Sequence, residues 1–205
     1  MGHYNFAIGC DEFNNGFHLK NFPHLIVAGV LGSDGREYGT PKYAGKHNRK
    51  FFSHIRKTDM EKVLECSRYF FEQNPHFLYV TINKDMIKTK TDYELMKAKA
   101  VSTIALTFLK EKNLNPKQTA LYIDKMNGVT DLSFIEDTTN LLLSCSSNEP
   151  AKVRFIEHGE RTKKVIKKAD MVAYYLAAQK VHGSCSCWPH RDRRLDVKNL
   201  ATLFC

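Results

Sequence analysis

A long amphipathic helix set between two short apolar strands constrains the fold of this chain more than any other feature. The helix is predicted over residues 91–112, with Thr91 and Asp92 as its capping residues and an apolar face at helical spacing: Leu95, Ala98, Val101, Ile104, Ala105, Phe108 and Leu109. Strands are predicted before it at residues 76–82 and after it at residues 119–123. Because strand, helix and strand follow in this order, we expect the last strand to run parallel to another strand of the sheet.

The remaining elements complete a mixed α/β fold. Two early strands joined by a short, turn-rich segment indicate a hairpin. We therefore expect a sheet of three antiparallel strands plus parallel strands, flanked by helices, in a single domain over residues 1–181. Residues 182–205 are predicted to form a C-terminal tail with one short helix-like apolar stretch at residues 195–204. The other predicted strands cover residues 4–10, 23–31 and 153–157, and the other predicted helices cover residues 58–71, 138–145 and 168–180.

Composition and the N-terminal sequence indicate a soluble, cytoplasmic protein. No apolar run approaches the roughly 18 residues that a membrane span requires. The first residues contain an acidic pair where a signal peptide has a basic flank. Six cysteines lack the spacing of a disulfide framework, which favours reduced thiols. Cys185, Cys187 and His190 do not have the usual spacing of a structural zinc site, so zinc is disfavoured.

The chain is strongly basic, with a formal net charge of +9. The excess is concentrated in residues 42–57, 161–168 and 191–194. A single basic cluster is more typical of a solvated face than of a binding patch. Three clusters on one small domain are as consistent with binding to a polyanion such as nucleic acid as with a solvated surface. The sequence says nothing about the oligomeric state.

Acidic residues stand at three separate element ends. Asp11 and Glu12 follow the first strand, Asp124 ends the strand after the long helix, and Asp170 lies near the start of the last helix. Adjacent residues of a strand point to opposite faces, so Asp11 and Glu12 share a site only if the chain bends at the turn residues 13–16. The alternative is that these acids have structural roles only. In that case Asp11 opens a turn and Glu12 is solvated. Asp124 then simply ends its strand, and the helix dipole stabilises Asp170 in the first turn of its helix.

These acids predict a site for two divalent cations. Carboxylates from different elements can hold a pair of ions, one that activates water and one that binds the leaving oxygen. An all-oxygen site favours Mg²⁺ or Mn²⁺. Reserve candidates for the same site are Asp131, Glu157 and Glu160. His158 is more typical of a loop histidine than of a residue that aids product release or proton transfer.

Three short motifs make the chain similar to a known family. The segments AIGCDE, LYID and KKADMVAYYLAA resemble the type 2 ribonuclease H group of the RNase H-like superfamily. The resemblance implies an RNase H-like sheet and a metal-dependent endonuclease that cuts the RNA strand of RNA-DNA hybrids, leaving a 3′-hydroxyl and a 5′-phosphate. Carried over motif by motif, it implies that the catalytic and metal-binding residues are Asp11, Glu12, Asp124 and Asp170.

The chain also departs from that family. Phe13, Asn14, Asn15 and Gly16 replace a Gly-Arg-Gly stretch that helps the family to read the ribose 2′-hydroxyl. Structured RNA or DNA therefore stay open as substrates, as does a non-catalytic nucleic-acid-binding protein on the same fold. The segment ADMVAYYL also resembles a second RNase H-like family that opens with Asp-Glu-Ser-Gly. The predicted nucleic-acid contacts are Asn14, Asn15, Lys46, Arg49, Lys50, Lys125, Lys163 and Lys164.

Overall fold

In the described part of the chain, six strands form one mixed sheet. The computed structural model describes residues 6–13, 22–33, 57–74, 76–125, 132–144, 152–157, 163–182 and 187–197. The strands are β1 (Phe6–Phe13), β2 (His24–Gly32), β3 (Phe77–Asn83), β4 (Thr119–Lys125), β5 (Lys152–Glu157) and the two-residue β6 (Arg194–Leu195). They lie side by side in the order β5, β4, β1, β2, β3, β6.

The sheet contains the predicted combination of strand directions. β1, β2 and β3 form an antiparallel meander. β4 runs parallel to β1, and β5 runs parallel to β4. The crossover helix therefore leads into a parallel strand, as the strand, helix, strand order predicted, and the mixed α/β fold class is confirmed.

Four helices of more than ten residues flank the sheet in the described part of the chain. Clusters of apolar side chains lie on both sides of the sheet: α2 packs on one face, and α1 and α4 pack on the other. None of the helices in the described ranges is both long and apolar enough to cross a membrane. The four helices are α1 (Lys57–Gln73), α2 (Lys90–Glu111), α3 (Leu132–Ser144) and α4 (Lys164–His182).

The N-cap of the crossover helix α2 lies two residues before the first predicted capping residue, Thr91. Thr89 is the N-cap and accepts a hydrogen bond from the Asp92 amide, while the Asp92 carboxylate accepts one from the Thr89 amide. This reciprocal pair is a capping box. The helix is also buried on nearly all sides rather than on one face, because α3 packs against it as well as the sheet.

Residues 187–197 pack against the outer edge of β3. The β6 residues Arg194 and Leu195 pair with Tyr79 and Val80 of β3, and the Tyr79 hydroxyl donates a hydrogen bond to the Pro189 carbonyl. Leu195, which was predicted to begin a helix-like segment, is therefore part of a strand. The domain boundary at residue 181 stays a prediction.

Candidate metal and nucleic-acid site

Glycine at position 9 brings the start of α4 against β1. A Cβ atom added at Gly9 would clash with the main chain of Val165 and Ile166. Further along, the rings of Phe13 and Tyr174 lie 6.1 Å apart. The step from Gly9 to Phe13 along β1 is about 13 Å long, and the step from Ile166 to Tyr174 along α4 is about 12 Å long. β1 and α4 therefore run side by side in the same direction.

This alignment places Asp170 level with Asp11. Asp170 lies one helical turn after Ile166, and Asp11 lies two strand residues after Gly9, an advance of about 6 Å in each case. Gly9, Asp11 and Phe13 share one face of β1, and Ile166, Asp170 and Tyr174 share one side of α4. Both acids therefore lie between the two helix-strand contacts described above. Asp11 is buried and Asp170 is half-buried.

Asp124 comes to the same face from the neighbouring strand. In the parallel register Cys10 pairs with Ile123, so Asp11 and Asp124 occupy the next position on adjacent strands. Ala120 and Tyr122, which share a face with Asp124, cluster with Val165 and Ile166 of α4. Asp11, Asp124 and Asp170 therefore line one face of the sheet, the α4 face.

Glu12 lies on the other face. β1 does not bend after Cys10; it continues through Phe13 in regular register with β2, and Glu12 pairs with Val27. The side chain of Glu12 consequently points toward α2, where Cys10 and Ile8 also pack. Residues 11–13 therefore show no bend, whereas the remaining predicted turn residues, 14–16, lie outside the described residues.

Two residues of α2 contact the Glu12 carboxylate. The Lys97 Nζ lies 2.7 Å from Glu12 Oε2, and both side chains are 1% exposed. The Lys97 Nζ also donates a hydrogen bond of 3.4 Å to the main-chain carbonyl of Asp124. The Tyr93 hydroxyl donates a hydrogen bond to the Glu12 carboxylate, and burial together with the negative charges of Glu12 and Asp11 raises the pKa of Tyr93. Glu12 is thus held by a buried cation and a buried hydroxyl.

The α4 face concentrates negative charge at Asp11. Burial raises the pKa of Asp11, and the charges of Glu12, Asp170 and Asp124 raise it further, whereas Lys97 lowers it. Raising a carboxyl pKa means that its ionised form is disfavoured. The main chain supplies one compensation, since the Glu12 amide donates a 2.7 Å hydrogen bond to Asp11 Oδ1.

The donor set fits a hard divalent cation, because three carboxylates from β1, β4 and α4 supply only oxygen ligands. The excess negative charge at Asp11 is what a cation would relieve. In the described ranges, no three His, Cys, Asp or Glu side chains converge closely enough to hold a metal ion.

The predicted nucleic-acid contacts are only partly described. The Lys163 Nζ lies 4.2 Å from the ring centre of Tyr122, two residues before Asp124, and Lys164 begins α4. Both lysines stand where α4 starts, beside the strand that carries Asp124. Lys125 ends β4, but its side chain is not among those described. Asn14, Asn15, Lys46, Arg49 and Lys50 lie outside the described residues, as do Asp131, His158 and Glu160.

The sequence reasoning missed Lys97 and Tyr93. A signal was present, because Tyr93, Lys97 and Val101 lie one turn apart on α2, so Lys97 interrupts an apolar row with a charge. Lysine is rarely fully buried without a partner of opposite charge. A lysine within an apolar row therefore indicates a buried acid nearby.

The order of strands and the flanking helices define an RNase H-like α/β fold. The structure is similar to Bst-RNase HIII, which was solved in complex with Mn²⁺, with a TM-score of 0.50 and 14% sequence identity. This match covers 86% of the present chain and 53% of that chain, so the present chain spans about half the length of its structural neighbour.

A second similar structure is the ribonuclease H2 from Pyrococcus horikoshii OT3. It has a TM-score of 0.45 and 12% identity, over 92% of this chain and 82% of that chain. No protein-family model matches the sequence, and no curated protein matches it significantly. The similarity to type 2 ribonucleases H is thus a similarity of fold.

Proposed function

We propose that this protein is a divalent-cation-dependent nuclease that hydrolyses phosphodiester bonds. The observation that carries the proposal is the alignment of Asp11, Asp124 and Asp170 on one face of an RNase H-like sheet. Each aspartate comes from a different element, β1, β4 or α4, so the fold and not a local sequence brings them together. The net charge of +9 supports a polyanionic substrate.

The aspartates would hold Mg²⁺ or Mn²⁺, which supplies a Lewis acid for the phosphoryl oxygen and lowers the pKa of water. Burial of Asp11 and its hydrogen bond from the Glu12 amide fix that carboxylate in orientation. Lys163 and Lys164, at the start of α4, would bind backbone phosphates next to the aspartates. The sequence predicts two cations at this site. The ion pair of Lys97 with Glu12 affects how many cations the site can bind.

The substrate that the family resemblance favours is the RNA strand of an RNA-DNA hybrid. Structured RNA and DNA are the alternatives, because the Gly-Arg-Gly stretch that reads the ribose 2′-hydroxyl is replaced in this chain. A panel of end-labelled RNA-DNA hybrid, single-stranded RNA, structured RNA and duplex DNA, with and without Mn²⁺ or Mg²⁺, tests the choice. We expect cutting of the hybrid only with metal, and cutting of another substrate alone would reassign the specificity.

A non-catalytic nucleic-acid-binding protein is the second candidate. The specific observation in its favour is that Glu12, one of the four predicted ligands, is paired with Lys97 on the opposite face of β1. Both candidates bind nucleic acid more weakly as salt rises. Metal-dependent turnover that is lost in Asp124→Asn separates them, because binding alone does not require this carboxylate.

A further inference from the structure

A buried lysine lies immediately behind the α4 face. Lys97 is 1% exposed and makes two contacts, a 2.7 Å ion pair with Glu12 and a hydrogen bond to the carbonyl of Asp124. Burial of a lysine is costly unless the ammonium is paired with an acid and hydrogen-bonded. The position of Lys97 thus depends on the same strand ends, β1 and β4, that carry two of the aspartates.

The geometry separates the four acids into two groups. Asp11, Asp124 and Asp170 line the α4 face, while Glu12 points to the α2 face and contacts Lys97 and Tyr93. A metal ion bound by Glu12 would have to displace the Lys97 ammonium from a 2.7 Å contact, or pull Glu12 through the plane of the sheet. The regular register of β1 at Glu12 excludes the second route. The first route would leave a buried ammonium without its counter-charge, which is costly.

From this arrangement we infer that the Lys97 ammonium takes the place of one of the two predicted cations. The site then binds one divalent cation per chain, through Asp11, Asp124 and Asp170. Lys97 is a positioning residue, because it lies behind β1 and touches Glu12 and the β4 main chain rather than the substrate side. This inference rests on the proposed metal dependence and reduces the expected number of ions from two to one.

The stoichiometry of Mn²⁺ binding tests the inference directly. The full chain is titrated with Mn²⁺ by calorimetry, and free Mn²⁺ is followed in parallel by electron paramagnetic resonance. We expect one Mn²⁺ per chain. Two Mn²⁺ per chain would overturn the role of Lys97 while leaving a metal-dependent nuclease intact. No binding at millimolar Mn²⁺ would overturn the proposed function, and this inference with it.

Lys97→Met tests whether the lysine sets the number of ions, since methionine keeps the volume and removes the charge. We expect the variant to bind a second Mn²⁺, because Glu12 loses its buried counter-charge. Lys99→Met, two residues along the same helix and half-buried, is the matched control and should bind one. A Lys97→Met variant that folds and still binds one Mn²⁺ would overturn the inference.

Glu12→Gln covers the case in which Lys97→Met fails to fold. Glutamine keeps an acceptor oxygen for Lys97 and Tyr93 and removes the charge of the carboxylate. We expect Mn²⁺ to bind Glu12→Gln with unchanged stoichiometry and less than about a threefold loss of affinity, whereas Asp170→Asn loses at least about tenfold, or 1.4 kcal/mol. Equal losses in the two variants would show that Glu12 is a ligand and contradict the inference.

Discussion

Gly9 controls the separation between β1 and α4, and therefore the position of Asp170 relative to Asp11. Any side chain at this position meets the main chain of Val165 and Ile166, which cannot move without shifting the whole helix. Glycine in the middle of a strand is otherwise unfavourable, so its presence here is explained by the close approach. Gly9 therefore affects the position of the aspartates on the α4 face, although it lies two residues before Asp11.

Gly9→Ala is expected to destabilise the fold by about 1–3 kcal/mol, because one added methyl group overpacks a rigid contact. Urea unfolding measures this difference. Gly32→Ala is the matched control, since its added methyl group would meet only the side chain of Val165, at 3.0 Å. If Gly9→Ala and Gly32→Ala were equally stable, the close approach of α4 to β1 would be contradicted.

The repulsion between the carboxylates near the α4 face is concentrated at Asp11. Its pKa is raised by burial and by the charges of Glu12, Asp170 and Asp124. Asp11→Asn removes one of these charges and keeps the acceptor oxygen for the Glu12 amide. We expect the metal-free variant to melt about 2–4 °C above the wild type, which corresponds to about 1 kcal/mol. Asp137→Asn, at an exposed position of α3, is the control and should leave the melting temperature unchanged.

At the scale of elements, the sequence was sufficient for the order and type of the four long helices and of β1 to β5, but not for β6. Periodicity identified α2 and the parallel strand β4, because apolar residues recur at the helical period in the first and β-branched or aromatic residues dominate the second. Element ends were less accurate. α4 begins at Lys164 rather than at residue 168, since Val165 and Ile166 pack on β1 although the flanking lysines look like a loop.

The largest difference between the predicted and the observed site follows from the end of β1. The sequence predicts that β1 stops at Cys10, and the structure extends it to Phe13, which is buried and pairs with Ile26. Because side chains alternate along a strand, this extension fixes Asp11 and Glu12 on opposite faces. The burial of Phe13 against α4 is a tertiary contact that no local pattern reports.

The capping box of α2 gives the fold a pH dependence in acid. Hydrogen bonds from Thr89 and Lys88 lower the pKa of Asp92 below its usual value of 3.8. A lowered carboxyl pKa adds stability that is fully present above the unfolded-state value and is lost as pH falls through the folded-state value.

Asp92→Asn should therefore be less stable than the wild type at pH 6, and the difference should shrink as the pH falls below about 4. Chemical unfolding of both proteins between pH 2.5 and 6 measures it, with Asp137→Asn as the control for an acid outside the capping box. A difference that stays constant over this range would show that the charge of Asp92 does not support the helix.

For the molecule as a whole, a cation on the α4 face should couple to folding. A ligand that binds only the folded state stabilises it by about 2.7 kcal/mol at a concentration of 100 times Kd. For a chain of this size we expect a rise of about 5–10 °C in melting temperature with saturating Mn²⁺. Asp11→Asn should show no such rise, and an unchanged wild-type melt at millimolar Mn²⁺ would count against a metal site.

The molecule as a whole combines a basic chain with an acidic face on an RNase H-like fold. We propose that Asp11, Asp124 and Asp170 act together in metal-dependent cleavage. The most direct test is the rate of Mn²⁺-dependent cutting of an end-labelled RNA-DNA hybrid by the wild type and by Asp11→Asn, Asp124→Asn, Asp170→Asn and Asp137→Asn. The account predicts that each of the first three variants loses at least about 100-fold, or about 2.7 kcal/mol of transition-state stabilisation, while Asp137→Asn retains the wild-type rate. Cleavage that survives in any of the three, or binding without cleavage in the wild type, would contradict it.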